Sequence, residues 1–265
     1  MTLTASYDGV LSRVRLSGSS LGASATYAVF DRTINGYVTT TTIRGGSEVT
    51  VTSQNAAVDD YEFPVGQTIT YRVRSYNASD VLQQTFTTTI LRDLDEVWLK
   101  VPAGPYLNLP VTVVDRSEIE RKSRSGLFPV VGRTMPVMVG DIASSRSFTL
   151  QVLTQNASGE SALDYLFASG EVVFLHLPST VEHFPGGYFA VGDVKRETTL
   201  RLSARRIWSV PLTEVAIPGP AVVGSAYTWN SAMSEFATWT DLIAANVTWS
   251  TLLQRVGAPS DVIVG

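Results

Sequence analysis

Between Thr68 and Tyr76 the chain alternates without a break. Ile69, Tyr71, Val73 and Ser75 fall on one side, and Thr70, Arg72, Arg74 and Tyr76 on the other. A repeat of two is the mark of a pleated strand with one face in a core, and no helix satisfies it. Shorter runs obey the same rule. Val14 and Leu16 alternate with Arg13 and Arg15, and Val49 and Val51 share a face. Residues 26–30, 37–43 and 86–90 complete the set. Sixteen of the 29 threonines lie in the first ninety residues, where a branched Cβ suits a pleated surface. Turn chemistry separates the runs: Asn35-Gly36, Gly45-Gly46, Pro64-Val65-Gly66 and Asn77-Ala78-Ser79-Asp80. Roughly seven short strands about ten residues apart predict a small antiparallel sandwich over residues 1–92.

The segment Asp59-Asp60-Tyr61-Glu62-Phe63-Pro64-Val65-Gly66, leading into Thr70-Tyr71-Arg72-Val73-Arg74-Ser75-Tyr76-Asn77, resembles the late strands of fibronectin type III modules. The shared pattern is an aromatic, then Arg-Val, then a small residue and an Asn turn, and it covers about residues 5–90. The tryptophan usual in that family's early strands is absent. The resemblance implies a module that binds or spaces and does not catalyse.

Leu91-Arg92-Asp93-Leu94-Asp95-Glu96 reads as a charged connector. A second domain, residues 93–217, carries apolar strand patterns at 111–114, 128–131, 135–139, 148–153, 172–177, 187–194 and 199–210. One helix is predicted over Ser161–Ala168, capped by Ser158 or Ser161 and stopped by Gly170, with Leu163, Leu166 and Phe167 as its apolar stripe. The domain is therefore mainly β, with one side of a sheet covered by a helix.

Pro218-Gly219-Pro220 is a stiff break. Residues 218–265 beyond it hold three of the five tryptophans, at Thr228-Trp229, Thr238-Trp239 and Thr248-Trp249, a period of ten. In one continuous helix each tryptophan would fall about 80° behind the last. Three short helical turns fit better. Each threonine is then an N-cap, and an apolar pair follows: Ala232/Met233, Leu242/Ile243 and Leu252/Leu253. So short a helix needs packing to form. Its own domain, a neighbouring subunit and a sugar ligand are the three possible supports. Because tryptophan is enriched at interface centres, Trp229, Trp239, Trp249, Leu242, Ile243, Leu252 and Leu253 are the candidate subunit-interface residues.

Chemistry is sparsely represented. With no cysteine, thiolate metal sites, thiol nucleophiles and disulfides are excluded. His176, Glu182 and His183 hold the minimum donors for a metal, yet His176 alternates with Val173, Leu175 and Leu177 and reads as a surface or half-buried ring. Asp59/Asp60 and Asp93/Asp95/Glu96 read as solvated turn charges. No acid–base pair, serine elbow or phosphate loop stands out. The expectation is no enzyme, no cofactor and no metal. A net charge of −4, with Arg116, Arg121, Lys122 and Arg124 interleaved by Asp115, Glu118 and Glu120, argues against nucleic acid. No apolar run reaches the roughly 20 residues of a membrane span, and the first residues do not read as a secretory signal.

Val97-Trp98-Leu99-Lys100-Val101-Pro102, Pro105-Tyr106-Leu107-Asn108-Leu109-Pro110-Val111-Thr112-Val113, Ser125-Gly126-Leu127-Phe128-Pro129-Val130-Val131-Gly132-Arg133, Ser145-Arg146-Ser147-Phe148-Thr149-Leu150 and Gly170-Glu171-Val172-Val173-Phe174-Leu175-His176-Leu177-Pro178 together resemble minor tail proteins of long-tailed bacteriophages, especially those of actinobacterial hosts. The tryptophan decapeptides after a proline-rich link are similar to the ends of those proteins. The resemblance implies a structural part of the distal tail or tail tip, made in the host cytoplasm and located in the virion tail. It implies a central β-sandwich or split barrel assembling with itself into a ring, hexamer or trimer, and with other tail proteins. Neighbouring subunits would then protect the strand edges. A carbohydrate-binding adhesin for host cell-wall glycan is the alternative.

Overall fold

The computed structural model describes residues 2–35, 37–129, 131–132, 134–135, 137–140, 142–181, 183–198, 204–218, 236 and 238–245. The first part of the chain forms eight strands: β1 (Thr2–Asp8), β2 (Arg13–Ser19), β3 (Tyr27–Ile34), β4 (Thr40–Thr42), β5 (Val49–Thr50), β6 (Ala56–Asp60), β7 (Gln67–Tyr76) and β8 (Leu82–Arg92). They make two antiparallel sheets, ordered β1-β2-β6 and β4-β3-β7-β8, with β5 also on β3. The alternation of β7 is that of its sequence, with Ile69, Tyr71, Val73 and Ser75 all fully buried. Ile69, Tyr71 and Val73 meet Val14 and Leu16 of β2 and Phe30 of β3 in one core. On the other face of the second sheet, Asp31 is held across strands by Arg72 (2.9 Å) and Arg74 (2.8 Å).

The remaining strands are β9 (Val97–Lys100), β10 (Leu109–Arg116), β11 (Glu120–Arg121), β12 (Gly126–Phe128), β13 (Val137–Val139), β14 (Arg146–Thr154), β15 (Val173–His176), β16 (Gly187–Val191), β17 (Lys195–Thr198) and β18 (Arg206–Glu214). Six of them pair in the cycle β14-β10-β9-β15-β16-β18 and back to β14, every pairing antiparallel. The central domain is thus a closed six-stranded barrel and not a sandwich. Strands β16 and β17 lie end to end along one edge of β18, with a bulge between the pairs Val191↔Leu212 and Lys195↔Ser209. Pro211, which has no N–H to give a ladder, sits at that bulge, and its carbonyl accepts from Gly192 N at 2.8 Å.

Helix α1 spans Ala157–Ala168, four residues longer at its start than the predicted helix. Its cap is Asn156, not a serine: Asn156 Oδ1 accepts from Gly159 N at 2.8 Å. Gly170, at φ +68°, ends it as expected. Leu163 and Leu166 enter the barrel core, and Phe167 leans on Trp208.

The apolar runs around 128–131 and 135–139 depart from expectation. They do not contribute to the barrel wall. Between β10 and β14 the chain leaves the barrel, and β12 and β13 pair only with each other among the described residues. This ribbon is exposed on both faces.

Candidate functional site

The most elaborate polar arrangement in the molecule lies where the sandwich meets the barrel. Its sandwich side is the segment 59–66 at the end of β6, the stretch that carries the fibronectin resemblance. Asp59 and Asp60 are not in a solvated turn. They close β6 and are 7% and 2% exposed, because each has an arginine partner, Arg13 buried and Arg32 partly so. Arg13 Nη1 donates to Asp59 Oδ2 at 2.6 Å, and Arg13 Nε to Asp8 at 3.1 Å. Arg32 Nη1 donates to both oxygens of Asp60, at 2.6 and 2.7 Å, and to the carbonyl of Glu62 at 2.7 Å. The Tyr71 hydroxyl also donates to Asp60, at 2.9 Å, and burial raises the pKa of this phenol. Burial likewise raises Asp59, against the pull of Arg13.

The barrel inserts two nitrogen bases into this end of the sandwich. Lys100, last residue of β9, is 1% exposed, and its ammonium donates to the carbonyls of Ser12 (2.6 Å) and Tyr61 (2.7 Å). It lies over the Phe63 and Trp98 rings at 5.2 and 5.8 Å. Desolvation brings its pKa down to about 7, although the carboxylates of Asp60 and Glu62 oppose the fall. His176 of β15 is buried, not the surface or half-buried ring expected from alternation. Its Nε2 is 2.9 Å from the carbonyl of Phe63. A carbonyl only accepts, so Nε2 carries the hydrogen. Burial, with Lys100 nearby, holds the imidazole well below its ordinary pKa and therefore neutral. A ring so placed donates to the main chain across the joint; Glu182 lies outside the described residues, and among those described no group of three potential metal ligands occurs.

Further ties surround this pair. Asp93 of the connector accepts from Ser179 N at 2.9 Å and from its hydroxyl. Gly66 backs onto Ser179 so closely that a Cβ there would lie 2.6 Å from the Ser179 Cβ. Arg44 donates to Glu62 (3.0 Å) and to the carbonyl of Pro218 (3.3 Å). Tyr188 is pushed up to about 12, chiefly by burial and then by the Glu62 carboxylate. Trp98 packs into the sandwich core, although β9 belongs to the barrel. The cleft among Asp59, Lys100 and Asn108 has a volume of about 20 Å³, room for a water and not for an organic substrate. Chemically the site is a weld: it fixes one β domain on the other.

Of the predicted interface residues, Trp239, Leu242 and Ile243 lie in helix α2 (Trp239–Ala245). Thr238 Oγ1 accepts from Asp241 N at 3.3 Å at its start. Trp239 and Ile243 are each 64% exposed, whereas Leu242 is buried within its own chain. Trp229, Trp249, Leu252 and Leu253 lie outside the described residues. The weld residues escaped sequence reasoning, apart from one available signal: Lys100 is a lone charge in the run Val-Trp-Leu-Lys-Val-Pro.

Fold and site together define a mainly β protein whose barrel and sandwich are joined by buried hydrogen bonds from Lys100 and His176. No protein-family model matches the chain, and no curated protein matches it.

Proposed function

We propose that this chain is a structural subunit of the distal tail of a long-tailed bacteriophage, acting by assembly with copies of itself in a ring, hexamer or trimer, and with other tail proteins. The observation that carries the reading is the weld. Domains in one chain move relative to one another by default, and a binding module on a tether needs nothing more. Burying Lys100, His176, Asp59 and Asp60 at the joint costs desolvation energy. That cost has a return where one domain must hold the other at a fixed angle, as a particle built from repeated subunits requires. The strand order β1-β2-β6 and β4-β3-β7-β8 supports reading the sandwich as a fibronectin type III-like spacer. Trp239 and Ile243, exposed on α2, supply apolar surface for contact.

Light scattering and electron microscopy of the purified chain test this reading. The expected result is a discrete oligomer that is lost on Trp239→Ala or on removal of residues 218–265. A monodisperse monomer at high concentration that also fails to enter phage tails refutes it. The exposed Trp239 indole equally favours the adhesin alternative, since sugars stack on such rings. Binding to host cell-wall glycan with a change in tryptophan fluorescence, in a protein that stays monomeric, decides for that alternative.

A further inference from the structure

The weld uses the interior of the molecule, and the ribbon that leaves the barrel remains unexplained. Glu120 and Arg121 pair with Ser147 and Arg146 of the wall, and Ser144 N donates to the Lys122 carbonyl at 2.9 Å. Beyond that stem the chain is an arm. Leu127 stands opposite Met138, and Phe128 opposite Val137, so the two faces of the ribbon are both apolar. Leu127, Phe128, Val131, Met135, Met138 and Val139 are each at least 56% exposed. An isolated two-stranded ribbon is marginal in water, and this one spends its apolar residues on solvent.

Two quantities indicate what covers it. Six apolar side chains so exposed make a surface on the order of several hundred Å², the size that marks a site of protein contact. One partner of a standard interface buries about 800 Å². Charge supplies the second quantity. Residues 121–140 contain Arg121, Lys122, Arg124 and Arg133 and no carboxylate, so within a net charge of −4 the rest of the chain carries −8. The arm is positive and the body that bears it is negative. The body of every copy therefore carries a net charge opposite to that of the arm.

We propose that the arm, residues 121–140, docks on the body of a second copy of this chain. Its apolar ribbon forms the buried centre of the contact and its basic stem steers it to the acidic body. This deepens the assembly reading above and rests on it. It adds to the decapeptide repeat a second contact, on other residues, that the same assembly needs.

The test is sedimentation velocity on three full-length proteins, at low and at high salt. These are the wild type, Leu127→Glu/Met138→Glu, and Arg121→Glu/Lys122→Glu/Arg124→Glu. Circular dichroism and Tm monitor folding, which both variants retain because the changed side chains lie outside both cores. The wild type should associate, more weakly in high salt. The apolar variant should be monomeric at any salt, and the charge-reversed variant should associate at least tenfold more weakly at low salt. An oligomer unchanged in both variants overturns the arm contact while leaving tail assembly through another surface intact. A wild type that stays monomeric overturns it as well. A monomer that binds vesicles of anionic phospholipid through the arm overturns it in favour of a membrane partner.

Discussion

Lys100 gives the sharpest test of the weld, because its burial has a measurable pH signature. The unfolded chain holds a lysine with the ordinary pKa of 10.5, whereas the folded protein holds it at about 7. Between those values the unfolded state binds the extra proton, so stability rises with pH. The penalty is fully present below pH 7 and is relieved as pH climbs toward 10.5. Integrating from pH 7 to pH 9 gives a gain of about 2 kcal/mol for the wild type. The buried tyrosines do not interfere, since burial moves them upward, Tyr188 to about 12. In Lys100→Met the gain disappears. The carbonyls of Ser12 and Tyr61 lose their donor, which lowers stability by about 1–3 kcal/mol each, but that loss is the same at every pH. Urea unfolding of both proteins at half-unit steps from pH 7 to pH 9 separates the two effects. The reasoning fails if the two proteins show the same slope of stability against pH, whatever their absolute difference.

Three further outcomes follow from the same joint and the barrel wall. Asp60→Ala strands the Arg32 guanidinium, of which only 15% of the side chain is exposed, and should cost about 3–5 kcal/mol in urea unfolding. Gly66→Ala forces a Cβ onto Ser179 from a backbone at φ +68°. A loss of about 1–2 kcal/mol is expected from the left-handed conformation alone, and hydrogen exchange should show faster opening at 63–66 and 177–180. Glu214 is held at about 2 by the hydrogen bond and charge of Arg146. Its contribution is complete above the ordinary value of 4.5 and is lost as pH falls toward 2. Glu214→Gln should therefore lower Tm at pH 6 and leave it near the wild-type value at pH 2.

What local pattern encodes was legible. The alternation at 68–76 placed Ile69, Tyr71 and Val73 in a core, and Leu163 and Leu166 announced the buried face of α1. What depends on distant partners was not. Asp59 and Asp60 look like any acidic pair before an aromatic; their burial is decided by Arg13 and Arg32, 46 and 28 residues away along the chain. His176 does point opposite to Leu175, as the alternation requires. The error lay in taking that opposite side for solvent, when the sandwich covers it. The runs at 128–131 and 135–139 are as apolar as the barrel strands, and composition alone does not separate a wall from an arm. The closure of the barrel is equally invisible locally, since it rests on β14 and β18 meeting across some fifty residues of intervening chain.

That closure changes where copies of the protein are able to meet. A sheet that ends in water invites another chain to extend it, and the sequence alone made neighbouring subunits the natural guardians of such rims. Here the six staves bond to one another around the full circle, so the barrel offers no strand to be lengthened. Among the described residues, backbone-to-backbone growth is left to strands outside that ring, among them β1, β6, β4 and β8 at the margins of the sandwich sheets and the two edges of the β12–β13 ribbon. Contact made at the barrel must proceed side chain against side chain, and its tightness is then open to tuning one substitution at a time.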